Sequence, residues 1–381
     1  MLRNIFPPPI IMTTRKVIYD EANNIFTKPE RKKIKNALLL GGGGTTQTFF
    51  AMGALACLVD NGLFDFDLIT AVSGGTVLLN IIDLCYNEAY NYYKEPDWYN
   101  QYVRKNIYAM SNSKMLAYLV KSGFDMKETN DYLFEQMPDF TNKLTKTNTK
   151  IECEYNYIDA DTDNVVCDMK DIIDIENGKV DDCWFINQLA RCSLPFSIIN
   201  NRPTYDAGNV GNLPVSNFIR NYEAERVIII KCYTMVQQDI YPKQTLSYLL
   251  GNWVFNNTHV SENSINPLLS FGIVPNSNNI FCGFSNELNP SDDPIHNKIY
   301  FGDVNLLSNF SHGLFYQTGD IPKIIENEGY IQMYSQLKRT GEAIYFKIPN
   351  PEVYNETVVS KVTEFKQQNP LLETIKQFIM P

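Results

Sequence analysis

Short apolar runs alternate with stretches of helical periodicity along most of the chain. The runs 38–40, 66–72 and 226–233 are nearly continuous in apolar residues, which is typical of strands buried on both faces of a parallel sheet. Residues 48–61 and 76–92 instead carry apolar side chains at helical spacing. This alternation predicts an α/β fold, in which helices cover the faces of a sheet.

Two alternating segments predict a hairpin in the middle of the chain. Residues 151–157 and 165–169 flank an acidic run, 159–164, with the spacing Asp-x-Asp-x-Asp. Calcium loops share this spacing, but they need a glycine where Asn164 stands and a glutamate where Lys170 stands. We therefore expect a hairpin turn here and no metal site.

The pattern predicts one principal domain. Residues 1–35 lack clear periodicity and end in a basic cluster, which we interpret as an N-terminal arm with a solvated rim. Residues 36–350 form the domain, including a predicted helix over 321–340. Residues 351–381 carry apolar side chains at helical spacing, interrupted by Pro370, and predict an amphipathic helical tail packed on the domain.

Composition narrows the class of protein. The 381 residues include 43 acidic and 33 basic side chains, and the net charge of −10 opposes binding to nucleic acid. No run approaches the roughly 18 apolar residues of a transmembrane segment, and the N-terminus lacks the pattern of a secretory signal. The eight cysteines are scattered, which predicts free buried thiols in a reducing compartment. We expect a cytoplasmic protein.

Two neighbouring strand-to-helix turns carry the candidate chemistry. Four glycines, Gly41 to Gly44, end an apolar run and open a helix, where backbone N–H groups face an anion. Ser73 stands among small residues between a predicted strand and the next predicted helix, as in a nucleophile elbow. A serine that attacks an ester needs an oxyanion site and a proton acceptor. The predicted oxyanion hole is Gly42, Gly43 and Gly44.

The proton acceptor is indicated by a second turn. Asp206 precedes Gly208 in a predicted turn, where a carboxylate projects without belonging to a helix face. It is the candidate base of a Ser-Asp dyad. A histidine base stays open as an alternative, although His259, His296 and His312 all stand in weakly patterned sequence.

Three signals, in this order, resemble the patatin-like and cytosolic phospholipase A2 superfamily. They are Gly42-Gly43-Gly44, Ser73-Gly74-Gly75-Thr76, and Asp206-Ala207-Gly208 followed by Asn212-Leu213-Pro214. The resemblance covers roughly residues 36–235. It implies a three-layer α/β/α core, a catalytic dyad of Ser73 and Asp206, and no metal or cofactor.

The resemblance also implies a function. Family members are lipid acyl hydrolases, so it implies cleavage of carboxylic esters of glycerophospholipids through an acyl-serine intermediate. Phospholipid or lysophospholipid is the implied substrate, reached by peripheral contact with a membrane. The family usually carries an arginine where this chain has Thr46. Arg191 and Arg202, near Asp206 in sequence, are candidates for contacting the substrate phosphate instead.

Other readings of the same residues remain. The glycine turn lacks the Gly-Lys-Ser/Thr of a phosphate-binding P-loop, which argues against nucleotide binding. Thr46 motivates a hypothesis of another class, in which a catalytically silent relative keeps the fold to bind lipid or protein. A third hypothesis is a His-assisted esterase that acts on small neutral esters.

Overall fold

The structure is a computed structural model that describes part of the 381-residue chain. The described residues are 31–87, 90–112, 131–132, 135–137, 140, 150–159, 164–169, 197–199, 202–207, 213–232, 278–283 and 321–353. The predicted tail 351–381 lies outside them except for residues 351–353, and Arg191 and the three histidines lie wholly outside them. The arm 1–35 lies outside them except for its last five residues.

Among the described residues, eight strands form one mixed sheet. They are β1 (Lys32–Leu40), β2 (Leu68–Val72), β3 (Glu152–Asp159), β4 (Asn164–Met169), β5 (Ser197–Ile199), β6 (Arg202–Asp206), β7 (Tyr222–Ile230) and β8 (Ile280–Cys282). The order β3-β2-β1-β7-β8 is parallel throughout, and β4, β5 and β6 add to it antiparallel at the β3 side. The α/β prediction is confirmed, with a five-stranded parallel core.

The helices follow the strands in chain order. They are α1 (Gly44–Asp60), α2 (Gly74–Cys85), a short 3-10 helix (Tyr92–Lys94), a π-helical turn (Tyr99–Arg104), α3 (Lys105–Asn112), α4 (Val215–Asn221) and α5 (Ile321–Thr340). The helix predicted over 321–340 has these bounds in the structure. No helix among the described residues is long and apolar enough to cross a membrane.

Alternation along the parallel strands sorts the core onto two faces. In β1, Leu38 and Leu40 join a large apolar cluster with α1, α2 and α5. Ala37 and Leu39 point to the opposite face, where they join a smaller cluster that includes Val215 and Phe218 of α4. Continuous apolar strands are needed because both faces are covered, as the sequence pattern indicated.

Helix α1 is held by a close crossing with α5. A Cβ placed on Gly53 would lie 1.8 Å from the carbonyl oxygen of Glu326, and one on Gly329 would lie 1.9 Å from that of Phe50. Only hydrogen side chains allow the two backbones to approach this closely. The helix that begins at the glycine turn is therefore fixed along its length.

Several boundaries and elements differ from expectation. Strand β1 begins at Lys32, four residues before the point from which the pattern indicated the sheet, because its first residues pair with β7. The basic side chains there are mostly exposed, and Arg31 and Lys32 pair with Glu223 and Glu152. Strand β8, only three residues long, was not predicted.

The hairpin and the thiols follow the sequence predictions. Strands β3 and β4 pair antiparallel, with Asp159 opposite Asn164, as expected for the two strands of a hairpin. Among the described residues no cluster of acidic, histidine or cysteine side chains could hold a metal ion. Five cysteines in that part of the chain are buried and free: Cys57, Cys85, Cys153, Cys232 and Cys282.

Candidate active site

The glycine turn lies at the carboxyl end of β1. The N–H of Gly41 donates to the carbonyl of Ile230 at 3.0 Å, which extends the pairing of β1 with β7 by one residue. Gly43 and Gly44 then adopt positive φ angles of 144° and 60°, and α1 begins at Gly44. The first N–H groups of a helix have no intrahelical acceptor, so this turn directs donors toward the sheet edge.

Ser73 occupies a sharp turn between β2 and α2. Its φ of 52° and ψ of −125° lie in a region that residues with a side chain rarely adopt. The side chain is only 2% exposed, and the Ser73 carbonyl accepts from the N–H of Thr76 at 2.8 Å. A strained serine at a helix N-terminus is the geometry expected of a nucleophile elbow.

The two turns are packed directly against each other. A Cβ on Gly74 would lie 2.0 Å from the carbonyl oxygen of Gly44, and one on Gly75 would lie 2.7 Å from that of Gly41. The Thr48 hydroxyl, in the second turn of α1, donates to the Gly74 carbonyl at 2.7 Å. The predicted oxyanion glycines and the predicted nucleophile are thus adjacent.

Strand pairing locates Asp206 beside the same turn. Strand β2 pairs with β3 up to Val72 opposite Asn156, and β6 pairs with β3 beginning at Asp206 opposite Tyr157. Since β4 occupies the other edge of β3 along both stretches, β6 and β2 share one edge. Asp206 therefore takes the ladder position directly after Val72, one residue step of about 3.3 Å along β3.

This arrangement explains the turn at Ser73. The chain cannot continue straight past Val72 because the end of β6 occupies the next position on the edge of β3. Ser73 turns out of the sheet at the point where Asp206 arrives. Asp206 is fully buried and is the last residue of β6, and the turn predicted to follow it continues into residues outside the described ranges.

Polar side chains fix β3 in this position. The Asn156 amide donates to the Thr70 hydroxyl at 2.9 Å and to the Ala71 carbonyl at 3.0 Å. The Asn217 amide of α4 donates to the Asn156 side-chain oxygen at 3.0 Å. All three polar side chains are at least nine-tenths buried, so this network holds the register of β2 and β3 next to Ser73.

Arg202, a candidate contact for the substrate phosphate, lies farther along the sheet from the turn at Ser73 than Asp206 does. Arg202 begins β6, four residues before Asp206, and therefore lies about 13 Å further out along the strand. Strand β6 pairs with β3 out to Thr204 opposite Asp159, whereas β2 ends opposite Asn156. Arg202 therefore lies beyond the end of β2. Thr46, where the resembled family has arginine, is fully buried in the first turn of α1.

Sequence reasoning missed two buried polar residues at this edge. Lys231 follows the isoleucine run of β7, is fully buried, and its N–H donates to the Cys282 carbonyl at 2.9 Å. Burial lowers the pKa of Lys231 to about 7, partly offset by Cys232. The visible signal in the sequence was a lysine that directly follows an apolar strand. In the structure it takes the enclosed ladder position beside Gly41.

The second missed residue is Gln47. Its amide donates to the Ile230 carbonyl at 2.9 Å, and its side-chain oxygen accepts from the N–H of Cys232 at 2.6 Å. Gln47 therefore ties the first turn of α1 to the end of β7. Nothing in its sequence context distinguishes it from an exposed helix residue, so this role depends on the fold.

Comparisons with known proteins add little to this geometry. No protein-family model matches the chain, and no curated protein matches its sequence. Among solved structures, the chain is similar to the crystal structure of VipD from Legionella pneumophila, with a TM-score of 0.32 and 10% sequence identity. The match covers 81% of this chain and 67% of that chain.

Proposed function

We propose that this protein is a serine hydrolase that cleaves carboxylic esters of lipids through an acyl-Ser73 intermediate. The observation that carries the proposal is the pairing of β2 and β6 on one edge of β3, which brings Asp206 to the turn made by Ser73. In the first step Asp206 accepts the proton of the Ser73 hydroxyl while the oxygen attacks the ester carbon. The leaving alcohol then takes that proton.

The glycine turn has the corresponding role in the proposal. N–H groups at Gly42, Gly43 and Gly44 would donate to the oxyanion of the tetrahedral intermediate. Support comes from the backbone contact between Gly44 and Gly74, which keeps this turn against the nucleophile. A single donor of this kind typically lowers the barrier by roughly 3 kcal/mol, which is comparable to the effect of a catalytic side chain.

The lipid class of the substrate comes from the sequence resemblance. We propose a glycerophospholipid or lysophospholipid, met at a membrane surface by a cytoplasmic protein, and a three-layer core with α4 as the helix of the second face. Arg202 is the proposed contact for substrate phosphate among the described residues; Arg191 is the other candidate. Replacing Arg202 with alanine should slow hydrolysis of phosphate-bearing esters more than that of neutral esters, and equal losses would count against this role.

Covalent labelling tests the proposal. A fluorophosphonate probe should label the wild-type protein and should not label Ser73→Ala, with both proteins shown to be folded by circular dichroism. Asp206→Asn should retain the fold and lose most of the labelling rate. The variants His259→Ala, His296→Ala and His312→Ala should label normally. Loss of labelling in any of these three, with labelling retained in Asp206→Asn, would identify a histidine base instead.

One observation favours the silent relative as a second candidate. Ser73 is 2% exposed and Asp206 is fully buried, so neither residue is open to a substrate in the described part of the structure. Thr46 is also fully buried and offers no cationic contact. If neither small nor long-chain probes label the folded wild-type protein, the result would support this candidate and contradict the hydrolase proposal.

A further inference from the structure

Helix α2 carries a buried polar stripe that begins at the candidate nucleophile. Ser73, Thr76, Asn80 and Asp83 are each no more than 3% exposed. At 100° per residue Thr76, Asn80 and Asp83 fall within an arc of about 60° on one side of the helix, and Ser73 directly precedes its first turn. A helix that packs on a sheet normally directs an apolar stripe inward, so a polar stripe is not explained by packing.

The stripe faces strand β3. The hydroxyl of Tyr155 in β3 donates to the Asp83 carboxylate at 2.8 Å, which fixes the orientation of α2. Because the chain reverses between β2 and α2, moving from Asp83 back to Thr76 follows β3 from Tyr155 toward Tyr157. Asp206 pairs with Tyr157, so the N-terminal end of the stripe, at Ser73 and Thr76, lies toward the end of β3 that Asp206 adjoins.

Two polar atoms in the stripe point to a small polar ligand. Within the part of the chain that the structure describes, the Thr76 hydroxyl oxygen and the Asn80 amide nitrogen are buried without a hydrogen-bond partner. Buried polar groups in native proteins are nearly always satisfied, often by internal water. Residues one turn apart are about 6 Å apart, a gap that one water bridges with two hydrogen bonds.

We propose that Thr76 and Asn80 hold a buried water molecule behind Ser73, and that this site supplies the water that hydrolyses the acyl-enzyme. The inference rests on the proposed function, since it assigns the second half of that reaction. Water attacks the acyl carbon and gives its proton to Asp206, the bond from that carbon to the Ser73 oxygen breaks, and the serine oxygen recovers the proton from Asp206. Thr76 and Asn80 are positioning residues that touch the water and not the acyl group.

Kinetics that separate the two half-reactions test this proposal. With a p-nitrophenyl ester, Thr76→Val should keep the burst of nitrophenol within twofold and slow the following steady-state rate at least tenfold. The ratio of transfer to added methanol over hydrolysis should rise at least fivefold. Thr76→Ser should restore both values to within threefold of wild type, and Asn80→Leu should change them in the same direction as Thr76→Val.

The matched control is Val77→Thr, the neighbouring position on α2, which should leave the burst and the steady-state rate unchanged. A normal burst with unchanged steady-state rate and partition in Thr76→Val would overturn the water site and leave the hydrolase intact. The absence of any Ser73-dependent burst in wild type would instead overturn the hydrolase and, with it, the assigned role.

A crystal structure of the wild-type protein tests the proposal without depending on activity or on the folding of the variants. In a high-resolution crystal structure of the wild-type protein, an ordered water should lie within hydrogen-bond distance of both the Thr76 hydroxyl and the Asn80 amide. If both atoms bond to protein groups instead, the proposal is wrong.

Discussion

Helices α1 and α2 begin side by side at the carboxyl edge of the sheet, yet they are built differently. Helix α1 starts on glycines whose positive φ angles carry little strain, and its interior is mostly apolar. Helix α2 starts at Ser73, a residue with a side chain at φ 52°, and carries a buried polar stripe. The difference indicates that α1 anchors the site, whereas α2 holds groups that stability alone does not favour.

The anchoring of α1 depends on α5 and on one buried ion pair. Glu326 of α5 is fully buried and binds the Arg104 guanidinium through both carboxylate oxygens. The same carboxylate accepts from Tyr108 and from the Asn350 amide, each at 2.7 Å. Because the Glu326 backbone also contacts Gly53, one residue connects α1, α5 and the segment leading into α3.

The largest expected effect comes from separating α1 and α5. Gly53→Ala would put a Cβ 1.8 Å from a backbone oxygen that cannot rotate away, so the helices must move apart. We expect a loss of at least about 3 kcal/mol in the free energy of unfolding, measured by urea denaturation. Gly62→Ala is the control: it has φ +67° but open space around it, and should lose about 1 kcal/mol. Similar losses in both variants would contradict the anchoring role of the crossing.

Breaking the ion pair should come next. The Glu326 side chain is fully buried, and Glu326→Gln should destabilise the fold by about 3 kcal/mol because it removes the charge that balances the Arg104 guanidinium. Glu342, whose side chain is 29% exposed, forms a bidentate pair with Arg226. Glu342→Gln breaks this pair and should lower the free energy of unfolding by only about 1 kcal/mol. Equal losses would mean that burial of Glu326 does not distinguish the two pairs.

Much of the anchoring half could be predicted from sequence, since strands β1, β2 and β7 and helix α5 follow hydrophobic periodicity. Ser73 and the glycine turn were also visible, because tight turns restrict residue type. The dyad of Asp206 and Ser73 was implied only by the family resemblance, because periodicity does not reveal that β6 and β2 share an edge of β3. The Gly53 and Gly329 crossing was equally hidden, since a helical glycine does not reveal its partner.

Lys231 is a buried group on the α1 side of the site that lowers stability, because its charge is costly to bury. Its folded pKa of about 7 lies below the usual value of 10.5, so the unfolded state binds more protons between these two pH values. The stability of the wild type relative to Lys231→Met should therefore rise from pH 7 to 10, since the penalty for burying the charge is full below pH 7 and fades above it.

At pH 7 the methionine variant should be more stable than wild type by about 2 kcal/mol, less than the upper bound that the whole shift would give. Urea denaturation of both proteins at half-unit pH steps measures the difference. Buried tyrosines and cysteines titrate in the same range, and they cancel because both proteins contain them. Parallel curves for the two proteins would show that Lys231 does not lose its proton in the folded state.

The smallest effect tests the strain assigned to α2. Ser73→Ala and Ser73→Gly both remove the hydroxyl and should both abolish labelling, but only glycine adopts the φ of 52° without strain. Ser73→Gly should therefore have a larger free energy of unfolding than Ser73→Ala, by about 1 kcal/mol as measured by urea denaturation. Because the two variants differ only in a methyl group, the difference measures the cost of keeping a side chain at this turn. A difference near zero would mean that α2 begins as comfortably as α1, and that geometry at Ser73 gives no reason of its own to regard it as a functional residue.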